Sequence, residues 1–300
     1  MAEDRILFVS LSNIGDAVMT TPVLQALHAK FPRATIDIVA DQRSSEIFEH
    51  CPYRGEIFHK EKHKPLRGVP ALIGVLRAAR YTLVVDLRTD GLAYLLRARK
   101  RMTKWRSKAY GPHAVERHMG IIHTLHGNDP IPPCCVWTGE QEEMFARTVL
   151  RGHLGKRLLG LGPGANWPGK IWPSDNFLGL IDQLQQYFDA VVLLGDKKDR
   201  EISDIIANRS TLPHVNLCGE TSLLQAAAIQ KHITVFVGND SGLGHLASAV
   251  GIPSLTIFGP GQPERYRPWG EKAMWLVGAG QNIKNVTTEA VTVQLDRILM

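Results

Sequence analysis

The 300-residue sequence has few of the residues that hold metals or form disulfides. Its four cysteines, Cys51, Cys134, Cys135 and Cys218, show no Cys-x-x-Cys spacing and have no clustered histidine partners. The sequence therefore indicates neither a zinc centre nor a disulfide framework. No Asp-x-Asp pair occurs anywhere in the chain, so metal-chelating chemistry of that kind also lacks support.

Long apolar runs are absent as well. No apolar stretch reaches the roughly 18–20 residues that span a bilayer. The N-terminus has no basic segment followed by an apolar core and a cleavage site. With 44% apolar and 21% charged residues, the composition is that of a soluble globular protein. We therefore expect a cytoplasmic protein.

Acidic residues are outnumbered by basic ones, and the excess is unevenly spread. The formal net charge is +6, and the stretch 97–108 (RARKRMTKWRSK) holds seven basic residues in twelve positions. Such runs are most often solvated faces. An anionic substrate, an anionic membrane surface and nucleic acid are the alternatives, and the charge alone does not choose between them.

Short patterns typical of buried strands alternate with helical patterns along the chain, in two successive series. The patterns predict strands at 6–10, 35–39, 56–58, 83–86 and 108–110, then at 158–161, 190–194, 215–217, 235–238, 254–258 and 274–277. Residues 127–138, rich in Pro, Gly and Asp, are typical of a linker. We predict two α/β domains with parallel sheets, residues 1–150 and 151–300, with ligands in the cleft between them.

The stretch 234–260 is a strand–loop–helix–strand unit. A glycine-punctuated turn, 238–242, lies where the helix begins, and free backbone N–H groups there attract anions. Asp240 and Ser241 are suited to cap the helix or to hold a ligand hydroxyl. The turn is neither a Gly-x-Gly-x-x-Gly fingerprint nor a Walker loop. A capped helix without a ligand is the alternative.

Other predicted loops also follow strands. Asp16 is placed to act as a general base, but its spacing alone favours the alternative that it caps the next helix. Lys170 is the only charge in the loop 162–173 and suits a phosphate. In the loop 259–270, Arg265 and Arg267 face either solvent or an anion. His245, just after the glycine turn, is either a ligand contact or a core histidine.

Taken together, the loop sequences resemble those of the lipopolysaccharide heptosyltransferases (glycosyltransferase family 9). The resemblance rests on SNIGDAVMTTPVLQAL at 12–27, GKIWP at 169–173, VGNDSGLGHLASAVGIPSLTIFGP at 237–260 and PWG at 268–270. It implies a GT-B architecture, in which two Rossmann-like domains face each other across a cleft. It also implies acceptor binding by the N-terminal domain, nucleotide-sugar binding by the C-terminal domain, and metal-independent transfer with inversion at the sugar.

The resemblance also assigns roles to single residues. Asp16 matches the general base of the family, and Lys170 matches its phosphate-contacting lysine. Arg117, in HAVERH, resembles a basic acceptor-side position. The donor-binding motif is matched by Asn239, Asp240, Ser241, Gly242 and His245. Many relatives carry threonine where this chain has Ser241, and the hydroxyl is retained.

The implied activity is transfer of heptose from ADP-heptose to a lipopolysaccharide core or lipid A-linked acceptor, with no cofactor besides the donor substrate. The basic run at 97–108 suggests peripheral contact with the anionic inner face of the inner membrane. One alternative is another nucleotide sugar or a protein acceptor. Another is a non-catalytic protein that binds nucleotides or nucleic acid. The chain has no pattern resembling a recognition helix or an aromatic-basic RNA motif, so we expect no nucleic-acid partner.

Overall fold

The computed structural model describes residues 4–60, 65–88 and 91–299, without the side chains of 65–67, 298 and 299. The chain divides into two compact units, Met1–Trp137 and Thr138–Met300. Each unit contains one parallel sheet with helices packed on it. The prediction of two Rossmann-like α/β domains is confirmed.

The first sheet has β1 at its centre. Its strands are β1 (Arg5–Val9), β2 (Thr35–Ala40), β3 (Arg54–His59), β4 (Tyr81–Asp86) and β5 (Ala98–Thr103), in the order β3-β2-β1-β4-β5. Since β1 lies between β2 and β4, the winding direction reverses beside it. Loops at the carboxyl ends of strands that flank such a reversal are where open α/β sheets bind ligands. The loop after β1 leads directly into the helix that carries Asp16.

Helices cover this sheet because its central strand has apolar side chains on both faces. The helices are α1 (Ile14–Val18), α2 (Thr21–Lys30), α3 (Pro65–Ala78), α4 (Ala114–Met119) and α5 (His123–His126). Leu7 and Val9 of β1 belong to a buried cluster with Leu72 and Leu76 of α3. Ile6 and Phe8, the alternate residues, are fully buried as well, so the central strand β1 is covered on both faces.

The fifth strand of the first sheet corrects a prediction. We predicted a strand at 108–110, and the structure instead has β5 inside the basic run. Among the described strands it pairs with β4 alone and lies at the sheet edge, where charged side chains protect a strand from unwanted pairing. Arg99 and Lys100 are exposed, while Met102 and Thr103 are buried. The apolar alternation used to find strands is therefore missing.

The second sheet has six strands in the order β11-β10-β9-β6-β7-β8. They are β6 (Leu158–Gly162), β7 (Ala190–Leu193), β8 (His214–Asn216), β9 (Val235–Asn239), β10 (Ser254–Phe258) and β11 (Ala273–Val277). Here the winding reverses between β6 and β9. The loops after these two strands contain Lys170 and Asp240, respectively.

Seven helices of the described chain belong to the second unit. They are α6 (Glu140–Val149), α7 (Ser174–Leu184), α8 (Arg200–Arg209), α9 (Leu223–Gln230), α10 (Gly242–Ala249), α11 (Pro263–Tyr266) and α12 (Thr288–Leu299). One sheet face packs in a cluster that includes Trp172 and Phe177. The other packs in a cluster that includes Ala146 and Phe236. None of the helices in the described ranges combines the length and apolar character that crossing a membrane requires.

The division between the units falls earlier than the predicted boundary after residue 150. Helix α6 belongs to the second unit, because its Ala146 and the following Leu150 are fully buried in the cluster that also contains Ala226 of α9. Lys231, at the end of α9, donates to Glu143 at 2.7 Å. The predicted linker, 127–138, ends at the division, and the carbonyl of its Pro133 accepts from Gln25 of α2 at 2.6 Å.

Candidate functional site

The loop after β1 turns directly into a short helix that contains Asp16. Helix α1 begins at Ile14, and Asn13 occupies its N-cap position. Asn13 Nδ2 donates to Asp16 Oδ2 at 2.9 Å. Asp16 is half-buried in the first turn of the helix. The alternative that Asp16 caps this helix is therefore wrong, and its second carboxylate oxygen accepts no hydrogen bond from the described residues.

Threonine side chains end α1 after five residues. Thr20 and Thr21 donate their hydroxyls to the carbonyls of Ala17 and Val18, at 2.6 and 2.8 Å. Pro22 then lies in the first turn of α2, where its missing N–H costs no hydrogen bond. The segment therefore forms two helices, α1 and α2, and these local hydrogen bonds explain the break between them. They anchor α1, and with it Asp16, to the buried end of β1, where Ser10 Oγ lies 3.2 Å from Thr20 Oγ1.

Arg117, the predicted acceptor-side residue, lies on α4 in the same unit as Asp16. The start of α4 is a capping box, in which His113 Nδ1 accepts from Val115 N and Glu116 accepts from His113 N. Arg117 is exposed, and no described residue accepts a hydrogen bond from its guanidinium. Its charge is thus available to an anionic ligand.

Lys170 and Asp240 form an ion pair at the reversal point of the second sheet. Lys170 Nζ donates to Asp240 Oδ2 at 2.5 Å, although the two residues are 70 positions apart. The side chain of Lys170 is 29% exposed and that of Asp240 14%. Lys170 is the last residue of a short 3₁₀ turn, Pro168–Lys170, in the loop after β6. A partly exposed ammonium held this way presents its remaining donors to solvent or a ligand.

The side chain of Asn239 makes its hydrogen bonds to the loop after β6 and does not face solvent. It is fully buried at the end of β9. Its Oδ1 accepts from Trp172 N at 3.1 Å, and its Nδ2 donates to the carbonyls of Pro163 and Gly164 at 2.7 and 3.3 Å. Both amide hydrogens are thereby used within the protein. The predicted donor-binding residue Asn239 is therefore placed to position the loop that carries Lys170.

Helix α10 begins directly after the ion pair. Ser241 is its N-cap residue, with an extended backbone, but its side chain makes no capping hydrogen bond. Ser241 Oγ is buried and has no hydrogen-bond partner among the described residues. Gly242 is the first helical residue, and His245 is buried one turn later. The free N–H groups of this helix, an unpaired hydroxyl and Lys170 therefore meet where the sheet reverses.

The loop after β10 approaches the same place through glycines. A Cβ on Gly259 would lie 3.1 Å from the carbonyl oxygen of Gly169, and one on Gly261 would lie 3.4 Å from Asp240 Oδ2. The two arginines of this loop are held by protein groups. Arg267 stacks on Trp275 at 4.4 Å and donates to the carbonyl of Glu264, and Arg265 lies over the ring of Tyr266 at 4.9 Å.

Two residues near these loops were not predicted as site residues. Asn13 orients the Asp16 carboxylate, and the signal for it was its place in the motif SNIGD. The other residue is Trp172. It is fully buried, donates its indole N–H to the carbonyl of Val286 at 2.8 Å, and gives its backbone N–H to Asn239. Within the described ranges, no group of three or more His, Cys, Asp or Glu is arranged to hold a metal ion. Metal independence stays a prediction.

Comparison with known proteins identifies the family. The family profile described as glycosyltransferase family 9 (heptosyltransferase) matches residues 72–294. Lipopolysaccharide heptosyltransferase 3 of Escherichia coli (strain K12) is 27% identical over 290 residues, which cover 86% of this chain and 83% of that protein.

Solved structures share the fold. The glycosyltransferase family 9 protein of Veillonella parvula DSM 2008 superposes with a TM-score of 0.87 at 22% identity, covering 100% of this chain and 98% of that one. The E. coli heptosyltransferase WaaC with ADP-2-deoxy-2-fluoro heptose gives 0.80 at 21% identity, covering 98% and 99%. Because the family profile spans well over half of the sequence, the chain belongs to glycosyltransferase family 9, the heptosyltransferases.

Proposed function

We propose that this enzyme transfers heptose from ADP-heptose to a lipopolysaccharide core acceptor, with inversion at the sugar and without a metal ion. The observation that carries the proposal is the Lys170–Asp240 pair beside the start of α10, at the reversal point of the second sheet. A lysine charge, unsatisfied helix N–H groups and a free hydroxyl form a suitable cradle for a diphosphate. Relatives and neighbours named for lipopolysaccharide and for bound ADP-heptose analogues support this choice of substrates.

The proposed donor site stabilises the leaving group of the reaction. When the bond between the anomeric carbon and the phosphate oxygen breaks, the electron pair stays on ADP and negative charge develops on its diphosphate. Lys170 and the N–H groups of α10 oppose this charge, a task that a metal ion performs in other transferases. Asp240 orients Lys170, and Ser241 Oγ supplies a further donor. His245, one turn into α10, completes the proposed donor site.

The first unit supplies the general base. The oxygen of an acceptor hydroxyl attacks the anomeric carbon from the side opposite ADP, so the configuration inverts. The hydroxyl proton passes to Asp16. A hydrogen bond of 2.9 Å from Asn13 keeps the Asp16 carboxylate oriented. Arg117, whose guanidinium has no partner among the described residues, contacts anionic groups of the acceptor. Lipopolysaccharide is a glycolipid, and we propose that the reaction occurs in the cytoplasm, at the inner face of the inner membrane.

The test compares Asp16→Asn with wild type, using ADP-heptose and heptose-deficient lipopolysaccharide core. Loss of a general base lowers kcat by about 10²- to 10⁴-fold. The affinity for ADP, measured by calorimetry, is expected to stay unchanged. Asp129→Asn is the matched control, since Asp129 is an exposed aspartate in the same unit. Full activity of Asp16→Asn would refute the assignment of the base.

A panel of ADP, UDP and GDP sugars distinguishes the remaining alternatives, because a ligand bound only by the folded protein raises its melting temperature. Stabilisation by ADP and ADP-heptose supports the proposed donor. A preference for UDP or GDP sugars would keep the transferase and change its sugar. Binding of ADP without turnover of any acceptor would favour a non-catalytic nucleotide-binding protein.

A further inference from the structure

The edge of the first sheet carries exposed aromatic side chains that the proposed reaction does not use. Trp105 is 72% exposed, Tyr94 50% and Leu95 47%. The rings of Tyr94 and Trp105 stack on each other with centroids 5.4 Å apart. Tyr94 Oη lies 3.2 Å from Thr103 Oγ1, which fixes the pair at the end of β5. Exposed apolar side chains that lie together and are bordered by polar residues are typical of interaction surfaces.

Cations are frequent in the sequence around the aromatic pair, and acidic residues are not. From Gly91 to Val115 the sequence contains no aspartate or glutamate. Arg97, Arg99, Lys100, Arg106 and Lys108 are exposed, and none has a carboxylate partner within the described ranges. Two other cations of the run brace the protein, since Arg101 donates to the carbonyls of Ala93 and Leu96, and Lys104 to that of Arg88.

Protection of an edge strand explains part of this pattern. Charged side chains on β5 discourage pairing with another strand. Protection does not require Tyr94, Leu95 and Trp105 to be exposed, and Trp105 and Arg106 lie beyond the strand, in a 3₁₀ turn, Lys104–Arg106. The combination of unpaired cations with exposed Trp, Tyr and Leu is what anionic membrane interfaces attract.

We infer that this surface, here called the edge face and formed by Tyr94, Leu95, Arg99, Trp105, Arg106 and Lys108, docks on an anionic lipid bilayer. The inference rests on the proposed function, because a lipid-linked acceptor brings the enzyme to a membrane. The cations bind lipid phosphates, and Trp105 and Leu95 enter the headgroup region. Single-stranded nucleic acid is the competing occupant, since it also suits cations and aromatic rings. The mutual stacking of Tyr94 and Trp105 occupies one face of each ring, and Leu95 offers nothing to a base, so the bilayer is favoured.

The experiment measures binding of the full-length protein to sedimented vesicles. Vesicles of phosphatidylethanolamine and phosphatidylglycerol are expected to bind the protein, and phosphatidylcholine vesicles to leave it in solution. The variant Arg99→Gln/Arg106→Gln loses roughly 25-fold in partitioning, at about fivefold per cation. Trp105→Gln weakens binding at both low and high salt, because its contribution is apolar. For the wild type, binding falls as salt is raised from about 0.1 M to about 1 M.

Matched variants in the second unit control for net charge and for loss of apolar surface. Arg151→Gln/Lys156→Gln removes the same charge from exposed positions, and Met144→Gln removes an exposed apolar side chain. Both are expected to bind vesicles like the wild type. Equal loss in the controls and in the edge-face variants would overturn the inference. Loss of binding to a labelled RNA oligonucleotide, with vesicle binding intact, would overturn it in favour of nucleic acid.

Activity assays separate failure of the inference from failure of the proposed function. Edge-face variants are expected to retain turnover of a delipidated core acceptor and to lose turnover of the same acceptor embedded in vesicles. Vesicle binding without turnover of either acceptor would reject the transferase proposal and keep the docking surface. Unchanged turnover of the embedded acceptor by Arg99→Gln/Arg106→Gln would reject the docking surface and keep the transferase.

Discussion

Lys170 and Asp240 make unequal contributions to nucleotide binding, although they form one ion pair. Lys170→Met removes a charged donor and is expected to raise the Kd for ADP about 10- to 150-fold. Asp240→Asn keeps the shape and leaves the ammonium in place, so a smaller loss is expected. Titration calorimetry measures both, with Lys198→Met as the control at an exposed lysine. Equal losses for the two variants would contradict this division of roles.

We predict that Asn239 contributes to the stability of the fold rather than to direct contact with the nucleotide. Its side chain makes hydrogen bonds to Trp172, Pro163 and Gly164, all within the protein. Asn239→Ala leaves buried groups unpaired and should lower the free energy of unfolding by about 2–4 kcal/mol. Urea unfolding measures the loss, and Asn166→Ala, in the exposed part of the same loop, provides the control. A stable Asn239→Ala variant that has lost ADP binding would instead indicate direct contact with the donor.

At the scale of elements, the carboxylate of Glu143 adds a polar link to the buried apolar contacts between α6 and α9. Burial alone would raise the pKa of Glu143, but hydrogen bonds from Lys231 and Thr138 outweigh it and the pKa is lowered. A carboxylate whose pKa is lowered on folding stabilises the fold above its unfolded pKa of about 4.3 and loses that contribution as pH falls through the folded pKa. The link is therefore strongest near neutral pH.

Glu143→Gln tests this link. We expect the variant to be less stable than the wild type by about 0.5–1 kcal/mol at pH 7, since both side chains are partly exposed. The difference should shrink below about pH 4.3, where the wild-type carboxylate takes up its proton. Urea unfolding across this pH range measures it, with Glu140→Gln, at an exposed position of the same helix, as the control. A difference independent of pH would show that shape, not charge, joins the helices.

At the scale of the whole molecule, each unit has its own buried clusters, and the proposed donor site lies within the second. ADP alone should therefore slow amide hydrogen exchange first in residues 163–173 and 239–245. At 100 times its Kd, a ligand stabilises by about 2.7 kcal/mol. Exchange measured by mass spectrometry, with and without ADP, tests this. Protection confined to residues 1–137 would show that ADP binds the first unit, and would contradict the proposed donor site.

Much of the architecture follows from sequence pattern alone. Buried β-branched runs such as 235–238, each followed by a glycine-rich turn and a helical period, are sufficient to predict parallel α/β units. The same patterns place Lys170 and Asp240 in loops at the carboxyl ends of strands, and Asp16 just beyond such an end, where the structure has the first turn of α1. The edge strand β5 was missed because its exposed cations hide any apolar alternation, and the unit boundary was misplaced because local sequence does not tell which sheet α6 covers.

The tertiary structure alone decided which of these loops meet. Strand order depends on pairing between segments far apart in sequence, and the reversal between β6 and β9 brings Lys170 to Asp240 across 70 positions. The same pairing makes Asn239 a brace for the Lys170 loop and leaves Ser241 Oγ without a partner. Local propensities set the elements, whereas long-range burial and hydrogen bonding set their neighbours, and the chemistry of the donor site depends on those neighbours.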